Sequence, residues 1–113
     1  PPIKSSAASD VYKRQEIASR VDEILERMRP VLSSCQGVRR CGAAALDLAW
    51  TACGRFDAFY EDELKPWDMA AGALLVTEAG GSISNLDGSP FDLRWSILAG
   101  NKAMHELIGK MIR

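Results

Sequence analysis

The stretch from Glu61 to Gly81, Glu-Asp-Glu-Leu-Lys-Pro-Trp-Asp-Met-Ala-Ala-Gly-Ala-Leu-Leu-Val-Thr-Glu-Ala-Gly-Gly, limits what this chain can fold into more than any other. Acids come first, then Pro-Trp-Asp, then an apolar run, then Gly-Gly. Met69, Ala70, Ala71, Ala73, Leu74, Leu75 and Val76 leave hardly any polar face, which predicts a buried helix over 67–79. Gly80-Gly81 stops it. Gly72 in its middle costs about 1 kcal/mol relative to Ala, and such a cost persists where another backbone or a ligand comes close. Asp68 stands where the helix begins, with the small residues Ala70 and Ala71 on the same turn.

Elements before and after this helix alternate. Residues 16–29 form an amphipathic helix, with Ile17, Val21, Ile24, Leu25 and Met28 on one face and Glu16–Arg20 and Glu23–Arg27 as i,i+4 pairs. Pro30 disfavours helix at Arg29, so an end or bend is expected there. Residues 33–37 read as a loop and 38–41 as a short strand. A second helix spans 43–53, with Gly54 in the position of a left-handed cap. Residues 56–60, rich in aromatics, read as a strand. After the apolar helix, 82–86 reads as a strand, Asp87-Gly88 as a reversal, 91–93 as a short return and 95–99 as a buried strand. Asn101 is a good N-cap for a last helix, which carries Met104, Leu107, Ile108 and Met111 on one face. This order of helix, strand, helix, strand, helix, strand, strand, helix points to an α/β layered domain.

With 113 residues, the chain has room for one domain. Residues 1–15 have no period and read as a disordered or non-native lead, leaving 16–113 as the α/β unit. Fourteen basic residues against fifteen acidic ones leave a net charge of -1, and no basic run interleaves with aromatics, so no nucleic-acid footprint is expected. No apolar run is long enough to cross a membrane, and no signal peptide opens the chain. The odd count of three cysteines, Cys35, Cys41 and Cys53, without a Cys-x-x-Cys pair, argues for reduced thiols in a cytoplasmic protein.

Some residues could carry chemistry. Asp68 is either a helix cap, favoured by free amides and the helix dipole, or a ligand for a hard cation such as Mg²⁺. One carboxylate can serve both, having several lone pairs. Glu61 closes a strand seven residues earlier, and ligands of open α/β sheets gather beyond strand ends; its neighbours Asp62 and Glu63 read as exposed loop acids. Gly42-Ala43-Ala44 lies at a strand-to-helix turn, where free amides and missing side chains either admit a polar ligand or make a tight turn. Trp67 is a rim or core aromatic. His105, the sole histidine, reads as a surface residue, far along the chain from every candidate nucleophile, so no Ser–His–acid triad is expected.

A longer pattern sharpens these alternatives. Leu64-Lys65-Pro66-Trp67-Asp68-Met69-Ala70-Ala71-Gly72, followed by Val76-Thr77-Glu78-Ala79-Gly80-Gly81, resembles the C-terminal signature of the inositol monophosphatase family. Arg39-Arg40-Cys41-Gly42-Ala43-Ala44-Ala45-Leu46-Asp47-Leu48 is similar to its segment before the substrate-contacting helix. Ser89-Pro90-Phe91-Asp92-Leu93 and Ala99-Gly100-Asn101 resemble its tail. The resemblance covers roughly residues 16 to 113.

It implies the C-terminal half of a layered α-β-α-β-α fold and a Mg²⁺-dependent hydrolase of small phosphomonoesters, typically inositol 1-phosphate, homodimeric at full length. Asp68 matches a metal-ligating aspartate on the leaving-group side. Glu61 matches the acid that accepts a hydrogen bond from a substrate hydroxyl, and Gly42, Ala43 and Ala44 match the lining of the sugar-alcohol pocket. Many members carry Thr or Ser where Ala43 stands. The first metal site of the family needs an upstream Glu and Asp-x-x-Asp-Gly-Thr/Ser, neither of which this chain has; three residues before Asp87 stands Ser84. The expectation is therefore a portion inactive by itself. The alternatives are a related phosphatase acting on histidinol phosphate, fructose 1,6-bisphosphate or a phosphoadenosine nucleotide, or a non-catalytic fragment that works through a partner chain.

Overall fold

A computed structural model describes residues 20–39 and 42–113. The elements are α1 (Val21–Ser34), α2 (Ala44–Ala52), β1 (Ala58–Glu61), α3 (Pro66–Glu78), β2 (Ser82–Ser84), β3 (Ile97–Gly100) and α4 (Lys102–Ile112). The lead at 1–15 and the Glu16–Arg20 pair lie outside the described residues.

β3 lies at the centre of the sheet, whose order is β1-β3-β2, antiparallel to both neighbours. All four of its residues are buried, as befits a strand covered on both faces. Alternation sends Ile97 and Ala99 to one side and Leu98 to the other. The first side joins Leu48 of α2, Leu64, and Met69, Ala73 and Val76 of α3, with Phe59 and Ile83 from the outer strands. The second joins Leu86 and Ile108, with Cys35, Ala58, Tyr60, Met104 and Met111. Helices α2 and α3 thus cover one face and α4 the other, where α1 also packs.

Several expectations hold. Asn101 caps α4, its Oδ1 accepting from the Met104 amide at 2.8 Å. Gly54 takes φ +86 after α2, the left-handed cap that only glycine adopts freely. The chain reverses at Asp87-Gly88, with the Gly88 amide donating to the Asn85 carbonyl and the Asn85 amide to that of Ser89.

Others need correcting. The first helix does not end at Arg29 but runs through Pro30 to Ser34. Proline removes the bond to the Glu26 carbonyl, yet Glu26 is exposed and water can serve it; buried Val31 anchors the extra turn. Residues 38–39 form no strand, and 40–41 lie outside the described residues. The expected return at 91–93 is irregular because Leu93 sits at φ +63 and breaks the extended run. The strand over 56–60 begins later and ends at Glu61. The apolar helix is buried on one face only: Met69, Gly72, Ala73 and Val76 are covered, whereas Trp67 is 77%, Leu74 61% and Leu75 49% exposed. The described residues bring α2 and the sheet against a single side of α3.

Gly72 finds its explanation here. A Cβ at that position would meet Leu48 Cβ at 2.4 Å and Cδ1 at 2.6 Å. The missing side chain is what lets α2 and α3 approach. The close neighbour is a core leucine, so the glycine needs no ligand to account for it. Gly72→Ala is expected to destabilise the chain by about 1–3 kcal/mol, overpacking outweighing the better helix propensity of alanine. Urea unfolding measures it, and an unchanged or raised midpoint would refute the tight contact.

Candidate functional site

Asp68 occupies the third position of α3, two residues after Pro66 fixes the first turn. Its Oδ2 accepts from the Lys65 backbone amide at 3.0 Å, so the side chain reaches back over the helix start as in a capping box. The capping reading is therefore realised. It uses one lone pair of one oxygen and leaves others for a cation.

Glu61 ends β1, opposite Ile97. Phe59, two residues earlier, packs into the cluster on the α2–α3 side, and the period of two places Glu61 on that same face. Gly42 has φ +80, and Ala43 is an extended residue preceding α2 that makes no side-chain cap. Among the described residues, the first amides of α2 thus have neither an intrahelical acceptor nor a side-chain cap. Ala44 packs on the cluster that holds Met69, the neighbour of Asp68, and Leu64, from the loop between Glu61 and Asp68. One apolar cluster therefore organises β1, the α2 start and the α3 start, the three places that carry the five candidate residues.

Two hollows, of about 200 and 330 Å³, lie elsewhere: one beside Thr51, Asp57, Gly80 and Asn101, the other beside Arg27, Asp87, Trp95 and Arg113. Neither is lined by Gly42, Ala43, Ala44, Glu61 or Asp68. Among the described residues no three or more His, Cys, Asp or Glu side chains gather into a possible metal-holding group. Asp68 has the donor chemistry that Mg²⁺ prefers but supplies one carboxylate, short of the six oxygens or so that this ion needs.

Sequence reasoning missed some polar groups. Asp62 and Glu63 are not idle loop acids. Asp62 takes Arg20 at 2.5 Å and Arg27 at 3.0 Å, and Glu63 takes Arg20 at 2.6 Å. Burial works against the Asp62 charge, but the two guanidiniums win and hold its carboxyl below the usual range. The cue was the pair of arginines on one helix; that they reach a loop 42 residues on is a tertiary fact. Asp47 is 5% exposed on α2, and its Oδ1 has no hydrogen-bond partner among the described residues. An acid inside an Ala/Leu helix was the available signal.

His105 is also misplaced by chain distance. Its Nε2 lies 2.8 Å from Ser84 Oγ. The Ser84 hydroxyl donates to the Asn85 carbonyl at 2.9 Å, which assigns the Nε2 proton to the ring as donor. The pair pins α4 to β2.

The comparisons with known proteins follow this geometry. The model of the inositol monophosphatase family matches residues 4–113. The chain belongs to that family. A Caulobacter vibrioides inositol-1-monophosphatase is 47% identical over 93 residues, 80% of this chain and 36% of that protein. The Nus factor SuhB of Pseudomonas aeruginosa is 52% identical over 82 residues, 72% of this chain and 30% of that protein. The crystal structure of the extragenic suppressor protein suhB of Bartonella henselae superposes with a TM-score of 0.79 at 42% identity, covering 81% of this chain and 36% of that one. The chain thus spans about a third of the length of the relatives it matches, and its α/β layers are part of the inositol monophosphatase fold.

Burial lowers the His105 ring below its ordinary range; nearby Arg113 adds to this and Glu106 opposes it. A depressed folded value means that the unfolded chain binds the proton more readily. Stability is then full above the ordinary imidazole range and is lost as pH falls through the folded value. His105 is the only histidine, so thermal melts between pH 7.5 and 5.5 are expected to show a falling midpoint that His105→Gln flattens. Parallel profiles for the two proteins would refute this.

Proposed function

We propose that the chain is the substrate-side wall of a Mg²⁺-dependent phosphomonoester hydrolase acting on inositol 1-phosphate. The observation that carries this is the single cluster that holds Phe59, Leu64, Met69 and Ala44, the near neighbours of Glu61, of Asp68 and of the start of α2, in a member of this family. Asp68 would hold the metal through the oxygen lone pairs left over from its helix cap. Glu61, on the same face, would accept a hydrogen bond from a hydroxyl of the sugar alcohol. The free amides at Ala44 and Ala45, with Gly42 and Ala43 presenting no bulk, would seat the polar ring edge. When bound, Mg²⁺ supplies charge neutralisation at the phosphoryl and leaving oxygens. The remaining donors would come from outside residues 20–113. Cytoplasmic placement goes with this reading.

A second reading has its own support. The bare side of α3, with Trp67, Leu74 and Leu75, suits a fragment that works by pairing with a partner chain.

Phosphate release from inositol 1-phosphate in Mg²⁺ is expected to stay at background for the 113-residue chain. Residues 20–113 grafted in place of the matching segment of the Caulobacter relative are expected to support Mg²⁺-dependent release. Asp68→Asn in the graft should lower kcat/KM by about a hundredfold or more, the scale lost with one electrostatic stabiliser of the transition state. A graft that folds but is indifferent to Asp68→Asn or to Mg²⁺ refutes the hydrolase reading. An inactive graft beside a concentration-dependent mass increase of the chain favours the pairing one.

A further inference from the structure

The loop between Glu61 and Asp68 is held from the far side of the sheet. Successive residues at a strand end point to opposite faces. Glu61 faces α2 and α3; Asp62, just past the strand, turns to α1, where Arg20 Nη2 and Arg27 Nη1 bind the same Oδ2 at 2.5 and 3.0 Å. The three side chains are only 12–20% exposed, so water screens this contact less than an open surface pair. Arg20 also binds Glu63 Oε1 at 2.6 Å, and Glu63 sits at φ +58. A non-glycine residue persists there only where its surroundings hold it. Beyond it the Leu64 amide donates to the Trp95 carbonyl at 2.9 Å, and the Lys65 amide to Asp68 at 3.0 Å.

We infer that Arg20 and Arg27 are positioning residues that clamp Asp62 and Glu63 and so fix which way Glu61 faces and where the α3 start carries Asp68. The physical need is specific. A slip of one residue at the end of β1 would turn Glu61 away from α2 and α3 and bring Asp62 in its place. Two guanidiniums on one carboxylate oppose that exchange, because the slip would break both of their bonds to Asp62 and leave Glu23 as the acid they share. The inference rests on the roles proposed above for Glu61 and Asp68; the clamp itself does not.

Hydrogen exchange on the 113-residue chain tests it. Arg20→Ala/Arg27→Ala is expected to speed exchange at the Leu64 and Lys65 amides by about tenfold or more while the amides of Ile97–Gly100 keep their protection. Arg20→Lys/Arg27→Lys, which retains the charges, should restore most of the difference. No change at Leu64 and Lys65, or equal acceleration there and in β3, overturns the clamp, the second outcome being plain loss of global stability. Titration of the Caulobacter graft with Mn²⁺ alone, read as line broadening in the nuclear magnetic resonance spectrum, separates the other failure, since the graft restores the donors that this chain lacks. If broadening around Asp68 is absent, or survives Asp68→Asn, the metal role of Asp68 falls while the exchange comparison still decides the clamp.

Discussion

Burial of β3 on both faces is the constraint on which the rest of the structure depends. Leu98, Ala99 and Gly100 pair with strands on either side, and the side chains of Ile97, Leu98 and Ala99 enter two separate clusters. One cluster gathers α2, α3 and the inner residue of β1; the other gathers α4 and the segment after α1. A strand in that position tolerates no polar side chain, and Ile97-Leu98-Ala99-Gly100 has none.

The candidate site is a consequence of the first cluster. Leu48 packs where Gly72 has no side chain, which sets the α2–α3 distance, and Met69 and Leu64 then pin the residues on either side of Pro66-Trp67-Asp68. The polar groups hang from this apolar frame. Asp68 is locked by the Lys65 amide, and Asp62 and Glu63 by arginines from the opposite layer. Polar side chains with few rotamers left are what a site for a small charged ligand needs, since their ordering precedes binding.

The single-sided burial of α3 follows from the same frame. A helix that is apolar all round needs two covering surfaces, and the described residues provide one. The buried Asp47 oxygen without a hydrogen-bond partner among the described residues is the polar counterpart of that uncovered face. Both agree with a chain that spans about a third of its relatives.

Local chemistry made much of this legible in advance. Asn101 and Gly54 cap helices because their side chain, or lack of one, satisfies local geometry that no tertiary contact has to supply. The apolar periods placed the helices, and Trp-Asp with Glu-Ala-Gly-Gly pointed to the family. Other features were closed to such reading. Pro30 stays helical because Glu26, whose carbonyl it leaves without a donor, is exposed to water and Val31 is buried. Gly72 answers to a leucine on another helix, His105 meets Ser84 across 21 positions, and Asp62 meets Arg20 across 42. By itself, then, the sequence determined the helices in outline, the buried central strand, the caps at Asn101 and Gly54 and the acids at issue. The tertiary structure alone decided which face each acid takes and what holds it there, because ion pairs and close packing depend on distances through space that chain spacing does not encode.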